Sequence, residues 1–122
     1  KALAYMRDRR AFGQALTDFQ ALQFELASMA TDLEVARTFL WRAASALDAG
    51  SADATTLCAM AKRFVTERCS DIANKALQLH GGYGYLADYG IEKIVRDLRV
   101  HQILEGTSEI MSVIIARSIL RG

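Results

Sequence analysis

Between residues 19 and 43, apolar side chains recur at steps of three and four: Phe19, Leu22, Leu26, Met29, Leu33, Ala36, Leu40 and Ala43. That spacing lays a single apolar stripe along an α-helix, whereas a half-buried strand would repeat every two residues. The chain contains no proline, so nothing in it forces a break inside a helix. Its eight glycines gather mostly at apparent breaks. The pattern therefore predicts a long helix over about 17–49. Thr17 and Gln20 stand in the S/T-x-x-E/Q relation of a capping box at its start, and Gly50 marks its stop.

The same period continues downstream. A second long helix is expected over about 53–79, carrying Leu57, Ala61, Phe64, Ile72, Ala76 and Leu79. The segment GGYGYLADYG, 81–90, ends it, because adjacent glycines extend a helix only at a cost. A shorter helix over about 90–103 carries Ile91, Ile94, Val95 and Leu98, and a last one over about 107–121 carries Ile110, Met111, Ile114, Ile115 and Ile119. Residues 1–9 read as the tail of a helix that AFGQAL, 11–16, interrupts. No segment alternates with period two for long enough to be a strand. The expected fold is all-α, an up-and-down four-helix bundle in one domain.

Composition excludes several functions. Fifteen basic residues stand against fourteen acidic ones, so no strong field draws nucleic acid or a membrane surface. No apolar run reaches the roughly 18–20 residues that span a bilayer. Cys58 and Cys69, eleven apart, fit neither a CxxC motif nor a disulfide framework and suggest a reducing compartment. The chain starts at Lys1 in what already reads as helix, so a piece of a longer protein is expected.

Motif by motif, most side chains have an ordinary reading. A di-iron centre in a bundle needs Glu-x-x-His pairs, but Leu77 and Leu98 precede His80 and His101 by three, so no metal is expected. GYGYLA, 82–87, matches G-x-G-x-x-G/A on paper, yet a helix precedes it where the dinucleotide fingerprint needs a strand. It is either a helix C-cap or a place where backbone approaches a phosphate. Trp41 and the tyrosines read as packing or interface residues. Arg9, Arg10, Arg96, Arg99 and Arg117 read as solvated charges, any of which could bind an anion. Glu105 is the sharper case. It stands in LEGTSEI, 104–110, just before a helix start that Thr107 or Ser108 can cap. There it is either favourable electrostatics at a helix N-terminus or a carboxylate held for proton transfer.

Three blocks, in order, resemble the C-terminal third of an acyl-CoA dehydrogenase: DRRAFGQALTDFQALQ (8–23), ALQLHGGYGYL (76–86) and VRDLRVHQILEGTSEIM (95–111). QILEGTSEIM is most similar to short branched-chain members such as isobutyryl-CoA dehydrogenases, and Leu104 stands where many members carry tyrosine. The resemblance implies a four-helix bundle without the family's N-terminal helical domain and β domain. It also implies an FAD enzyme that desaturates an acyl-CoA thioester between its α and β carbons. Glu105 occupies the position of the catalytic base. Arg9, with Phe12 and Gly13, matches the R-x-x-F-G motif, and Arg9, Phe19 and Gln20 match FAD contacts. Gln78, Leu79, His80, Gly81 and Gly82 match the segment that reaches a neighbouring subunit's FAD. Thr107, Ser108 and Glu109 match a third FAD contact, and Arg117 a substrate contact. Implied partners are an electron-transfer flavoprotein and further copies of the chain, as a dimer of dimers. The implied location is the cytoplasm in a bacterium and the mitochondrial matrix in a eukaryote. The competing expectation is a non-catalytic helical oligomerisation module on the same fold.

Overall fold

A computed structural model describes residues 1–121. Five α-helices carry the fold: α1 (Ala2–Asp8), α2 (Gln20–Asp48), α3 (Ala54–Leu79), α4 (Ile91–Val100) and α5 (Ser108–Arg121). α2, α3, α4 and α5 form the expected up-and-down bundle, in which α3 is central and α2, α4 and α5 each pack along it. The turn between α2 and α3 is short because Gly50 takes φ +62°, a left-handed conformation that a side chain would strain. Arg42 on α2 pairs across that turn with Asp53 at 3.7 Å. The Ser51 hydroxyl, more than Arg42, holds the Asp53 carboxyl below its ordinary range.

Three local expectations need correction. α2 begins at Gln20, not 17, and Thr17 does not cap it. Leu16–Asp18 instead form a 3-10 turn, Asp18 Oδ2 accepts from the Ala15 amide (3.0 Å), and Gln23 Nε2 donates to the Thr17 carbonyl (2.8 Å). The chain also contains a minimal hairpin. β1 (Arg10–Ala11) and β2 (Gln14–Ala15) pair antiparallel around Phe12 (φ +53°) and Gly13 (φ +84°). Two successive positive φ values are the geometry of a type I′ turn, whose twist matches paired strands, so two residues a side suffice. Finally, α4 stops at Val100, and 101–106 form turns rather than helix.

The core departs from the stripe in a more informative way. Of the buried apolar side chains, eight are alanine: Ala36, Ala43, Ala46, Ala54, Ala59, Ala61, Ala73 and Ala76. Small residues on facing helices bring the axes close, within the range of about 8–10 Å set by the side chains at the contact. Met6, Met29, Leu79 and Ile91 supply the larger bulk where α1, α2, α3 and α4 converge. Leu33 and Leu40, placed on the stripe by spacing, are exposed, and Ile110 and Ile119 of α5 are exposed too. With Trp41 (68% exposed) and Leu47 (62%), they leave α2 and α5 with apolar faces that this chain does not cover.

Candidate functional site

α1 and the C-terminal end of α3 form a cleft of about 800 Å³. Six of the residues singled out from sequence line it: Arg9, Gln78, Leu79, His80, Gly81 and Gly82. Arg9 follows α1 directly, and its guanidinium lies 5.1 Å from the ring centre of Tyr83. Such a contact holds a cation over an aromatic face while leaving its donors free for an anion. Across the cleft, Lys75 and Glu25 form an ion pair at 2.7 Å that ties α3 to α2 and raises the Lys75 pKa. Sequence reasoning did not pick out Tyr5, Glu25 or Lys75. Tyr5 sits four residues before Arg9, the spacing that puts two side chains on one helical face.

The three glycines of GGYG separate by cause. Gly84 is buried, and a Cβ there would meet the Leu77 carbonyl oxygen at 2.5 Å, so the chain's own packing demands glycine. Gly81 follows the end of α3 with φ +58°, the left-handed conformation common just past a helix C-terminus. Gly82 has neither reason: no positive φ is required, and a Cβ would meet nothing within 4 Å. A bare backbone facing open space in a cleft beside an arginine suits close approach by a polar, anionic group. His80 offers less than its position suggests. Its ring is 4% exposed, its Nδ1–H donates to the Ala76 carbonyl (2.6 Å), and it stacks on Tyr5.

Glu105 lies elsewhere, on the exposed turn between α4 and α5. Its φ is +54°, followed by Gly106 at φ +99°, so a non-glycine residue is held in the left-handed region. Such backbone costs of order 1–3 kcal/mol and persists only where surrounding contacts impose it. Here the contacts are identifiable. The Ser108 amide donates to the Gln102 carbonyl (3.1 Å), and Lys62 Nζ, from the middle of α3, donates to the Gly106 carbonyl. Thr107 Oγ1 accepts from the Ile110 amide at 3.4 Å, capping α5. Glu109 turns back on the same helix start. Its own backbone N–H, and then the Thr107 hydroxyl, hold its carboxyl below the ordinary glutamate value. Ser108 Oγ is buried without a hydrogen-bond partner among the described residues.

The two groups of residues do not meet. Lys62, beneath the Glu105 turn, and Gln78, in the cleft, are about 24 Å apart along α3 at 1.5 Å per residue. Phe19 and Gln20 stand at the start of α2 outside the cleft wall; Phe19 is half-buried, 6.4 Å from the fully exposed Phe12 ring, and Gln20 is exposed. Arg117 sits beyond the far side of the Glu105 turn, about 14 Å down α5 from Ser108. It lines a shallow groove of about 450 Å³ with Thr55, Thr56 and Arg121. Among the described residues, no three His, Cys, Asp or Glu side chains gather as metal ligands, and no helix is long and apolar enough to cross a membrane.

Comparison with known proteins identifies the family and the fold. The family described as "Acyl-CoA dehydrogenase, C-terminal domain" matches residues 1–120. Mitochondrial isobutyryl-CoA dehydrogenase of Bos taurus is 51% identical over 117 residues, covering 96% of this chain and 28% of the relative. Subunit CarC of the caffeyl-CoA reductase–Etf complex of Acetobacterium woodii is 42% identical over 121 residues, covering 99% of this chain and 32% of the relative. The structure of butyryl-CoA dehydrogenase from Megasphaera elsdenii superposes with TM-score 0.94 at 33% identity, covering 98% of this chain and 31% of that one. The chain thus spans roughly a third of the length of these proteins. It belongs to the acyl-CoA dehydrogenase C-terminal domain family.

Proposed function

We propose that this chain is the helical C-terminal portion of an FAD-dependent acyl-CoA dehydrogenase, completed by an N-terminal helical domain and a β domain that lie outside it. The observation that carries the reading is Glu105, held at positive φ on an exposed turn by contacts from α3 and α4, in the position that resembles the family's base. Glu105 removes the α-proton of an acyl-CoA thioester. That proton is weakly acidic, so the base works only when close to the carbon and shielded from water, which the rest of the enzyme must provide. FAD, when bound, takes up the β-hydrogen with its electron pair.

The residues present fit that cofactor. Arg9, Gln78 and the backbone of Gly81 and Gly82 suit the pyrophosphate half of a dinucleotide, and Leu79 and His80 shape the wall behind them. Thr107, Ser108 and Glu109, at a helix N-terminus, suit a second polar contact. Lys62, beneath the second group, and Gln78, in the first, are about 24 Å apart along α3; we assign the two groups to the cofactors of two subunits, with Arg9 in the cleft group. Phe19 and Gln20 extend the cleft group from the start of α2. Arg117 contacts the substrate. The assembly is a homo-oligomer, a tetramer as a dimer of dimers, and the uncovered faces of α2 and α5 support it. An electron-transfer flavoprotein accepts the electrons; CarC, a relative, is named as part of an Etf complex. The location is the mitochondrial matrix in a eukaryote and the cytoplasm in a bacterium. The branched, short acyl chain suggested by the isobutyryl-CoA dehydrogenase relative is the first substrate to try.

The test uses the full-length protein. Purified enzyme should carry flavin absorbance near 450 nm, a property of the cofactor class, and isobutyryl-CoA should bleach it without oxygen. A colourless oligomer, or a flavoprotein that no short acyl-CoA bleaches, would mark a non-catalytic assembly module instead.

A further inference from the structure

We infer that Lys62 is a positioning residue for Glu105; the inference rests on the reading of Glu105 as the base. Lys62 lies on α3 on the half-buried stripe Cys58–Lys62–Val65–Cys69, with spacing four, three and four, where a charge is out of place. Long charged residues are almost never taken out of water without a partner. Lys62 makes no ion pair with a carboxylate among the described residues. Its ammonium donates instead to the backbone carbonyl of Gly106, in the peptide that joins Gly106 to Thr107, one residue beyond Glu105.

That choice has a geometric consequence. Glu105 and Gly106 have φ +54° and +99°, and a carboxylate-bearing residue does not settle there by itself. The carbonyl of Gly106 fixes the orientation of its peptide plane relative to α3, and the Ser108–Gln102 hydrogen bond fixes the next residues relative to the end of α4. Met111, buried under the turn, lies so near Gly106 that a Cβ would meet its Cε at 2.7 Å, so the turn also rests on α5. Among the described residues, Lys62 is the α3 side chain that hydrogen-bonds to this turn. Without it, the turn keeps its ends but loses the anchor that sets where the Glu105 carboxylate points. A base displaced by about 1 Å costs on the order of a hundredfold in rate.

The test compares Lys62→Met, which keeps the stem and loses the ammonium, with Lys62→Arg and Glu105→Gln in the full-length flavoenzyme. Hydrogen exchange of the peptide spanning 102–112 should quicken in Lys62→Met while that spanning 78–86 stays unchanged. Flavin content and KM should hold, kcat should fall tenfold to a hundredfold, and the isotope effect from α-deuterated substrate should rise as proton removal becomes slower. Lys62→Arg should recover part of the rate. It also provides the same readouts if Lys62→Met loses flavin. Unchanged exchange at 102–112 with unchanged kcat in Lys62→Met would overturn the inference, and so would a loss confined to flavin content. Full activity in Glu105→Gln would overturn the prior reading of the base. Loss of activity in Glu105→Gln, with Lys62→Met normal, removes the role of Lys62 alone.

Discussion

The imidazole of His80 lies flat against the phenol ring of Tyr5, 4.4 Å between centroids and 27° between planes. The same imidazole donates through Nδ1 to the Ala76 carbonyl, one of the last four carbonyls of α3 that have no partner within the helix. One side chain thereby joins α1 to the end of α3 and sets the origin of the Gly81–Gly82 backbone. His80→Phe keeps the stack and loses the donor, and should cost about 1 kcal/mol, the usual worth of one hydrogen bond. His80→Ala loses both and leaves a cavity, and should cost about 2–4 kcal/mol. Urea unfolding of the full-length protein measures both; equal costs would show that the ring's stacking contributes nothing.

Gly82 and Gly84 should respond oppositely to the same change. Gly84→Ala drives a Cβ into the Leu77 carbonyl and should destabilise the fold by about 1–3 kcal/mol. Gly82→Ala meets open space and should leave the melting temperature within a few degrees, yet weaken flavin retention. Flavin-to-protein ratio after gel filtration, beside a melting curve, reads both. Full flavin retention by Gly82→Ala would mean that nothing approaches that backbone.

Glu105→Gln in the full-length enzyme keeps size and shape and removes the proton acceptor. Flavin and acyl-CoA binding should persist, while dehydrogenation falls about 10²–10⁴-fold, the typical contribution of a general base. Turnover near normal would place the base elsewhere.

Glu109 gives the stability a pH dependence of known sign. Its folded-state pKa lies below its unfolded one, through its own backbone N–H first and the Thr107 hydroxyl second. The contribution is therefore complete above the unfolded value, about 4.3, and fades as pH falls through the folded value. Glu109→Gln should be slightly less stable than the parent at pH 7, and the difference should shrink as pH falls below the unfolded value and vanish below the folded one. A difference that did not shrink as pH fell through the acid range would contradict the hydrogen bonds.

The 122-residue chain alone should fold as a helical domain, associate with itself, and bind FAD weakly or not at all. On the function proposed above, its two groups of polar residues serve different cofactors, so a single copy would offer only part of a site. Association costs several kcal/mol of lost freedom before any affinity appears. Leu40, Trp41 and Leu47, exposed on α2, favour aggregation or assembly. Sedimentation and absorbance at 450 nm would check this; a monomer purified with stoichiometric flavin would show it wrong.

The sequence by itself determined the helices, because their signal is local: the three–four spacing of α2, the absence of proline and the glycines at 50 and 81–82 act within a few residues of chain. Glu105, Arg9 and the GGYG segment had ordinary local readings, and only the resemblance of three sequence blocks to a known family made them site candidates. What only the tertiary structure decided depends on residues far apart in sequence. Spacing could not tell Leu40, exposed, from Ala43, buried, because both lie near one stripe and the choice depends on how close α3 comes. Nor could it set the start of α2, where Asp18 holds the Ala15 amide and Gln23 the Thr17 carbonyl, so that a tight turn stands in place of the Thr17–Gln20 box. It could not distinguish the reasons for Gly82 and Gly84, which depend on whether the Leu77 carbonyl faces them. Above all, it could not bring Lys62 to Gly106. That contact closes 44 residues of chain, and only the packing of α3 against α4 and α5 places an ammonium beneath the turn that carries Glu105.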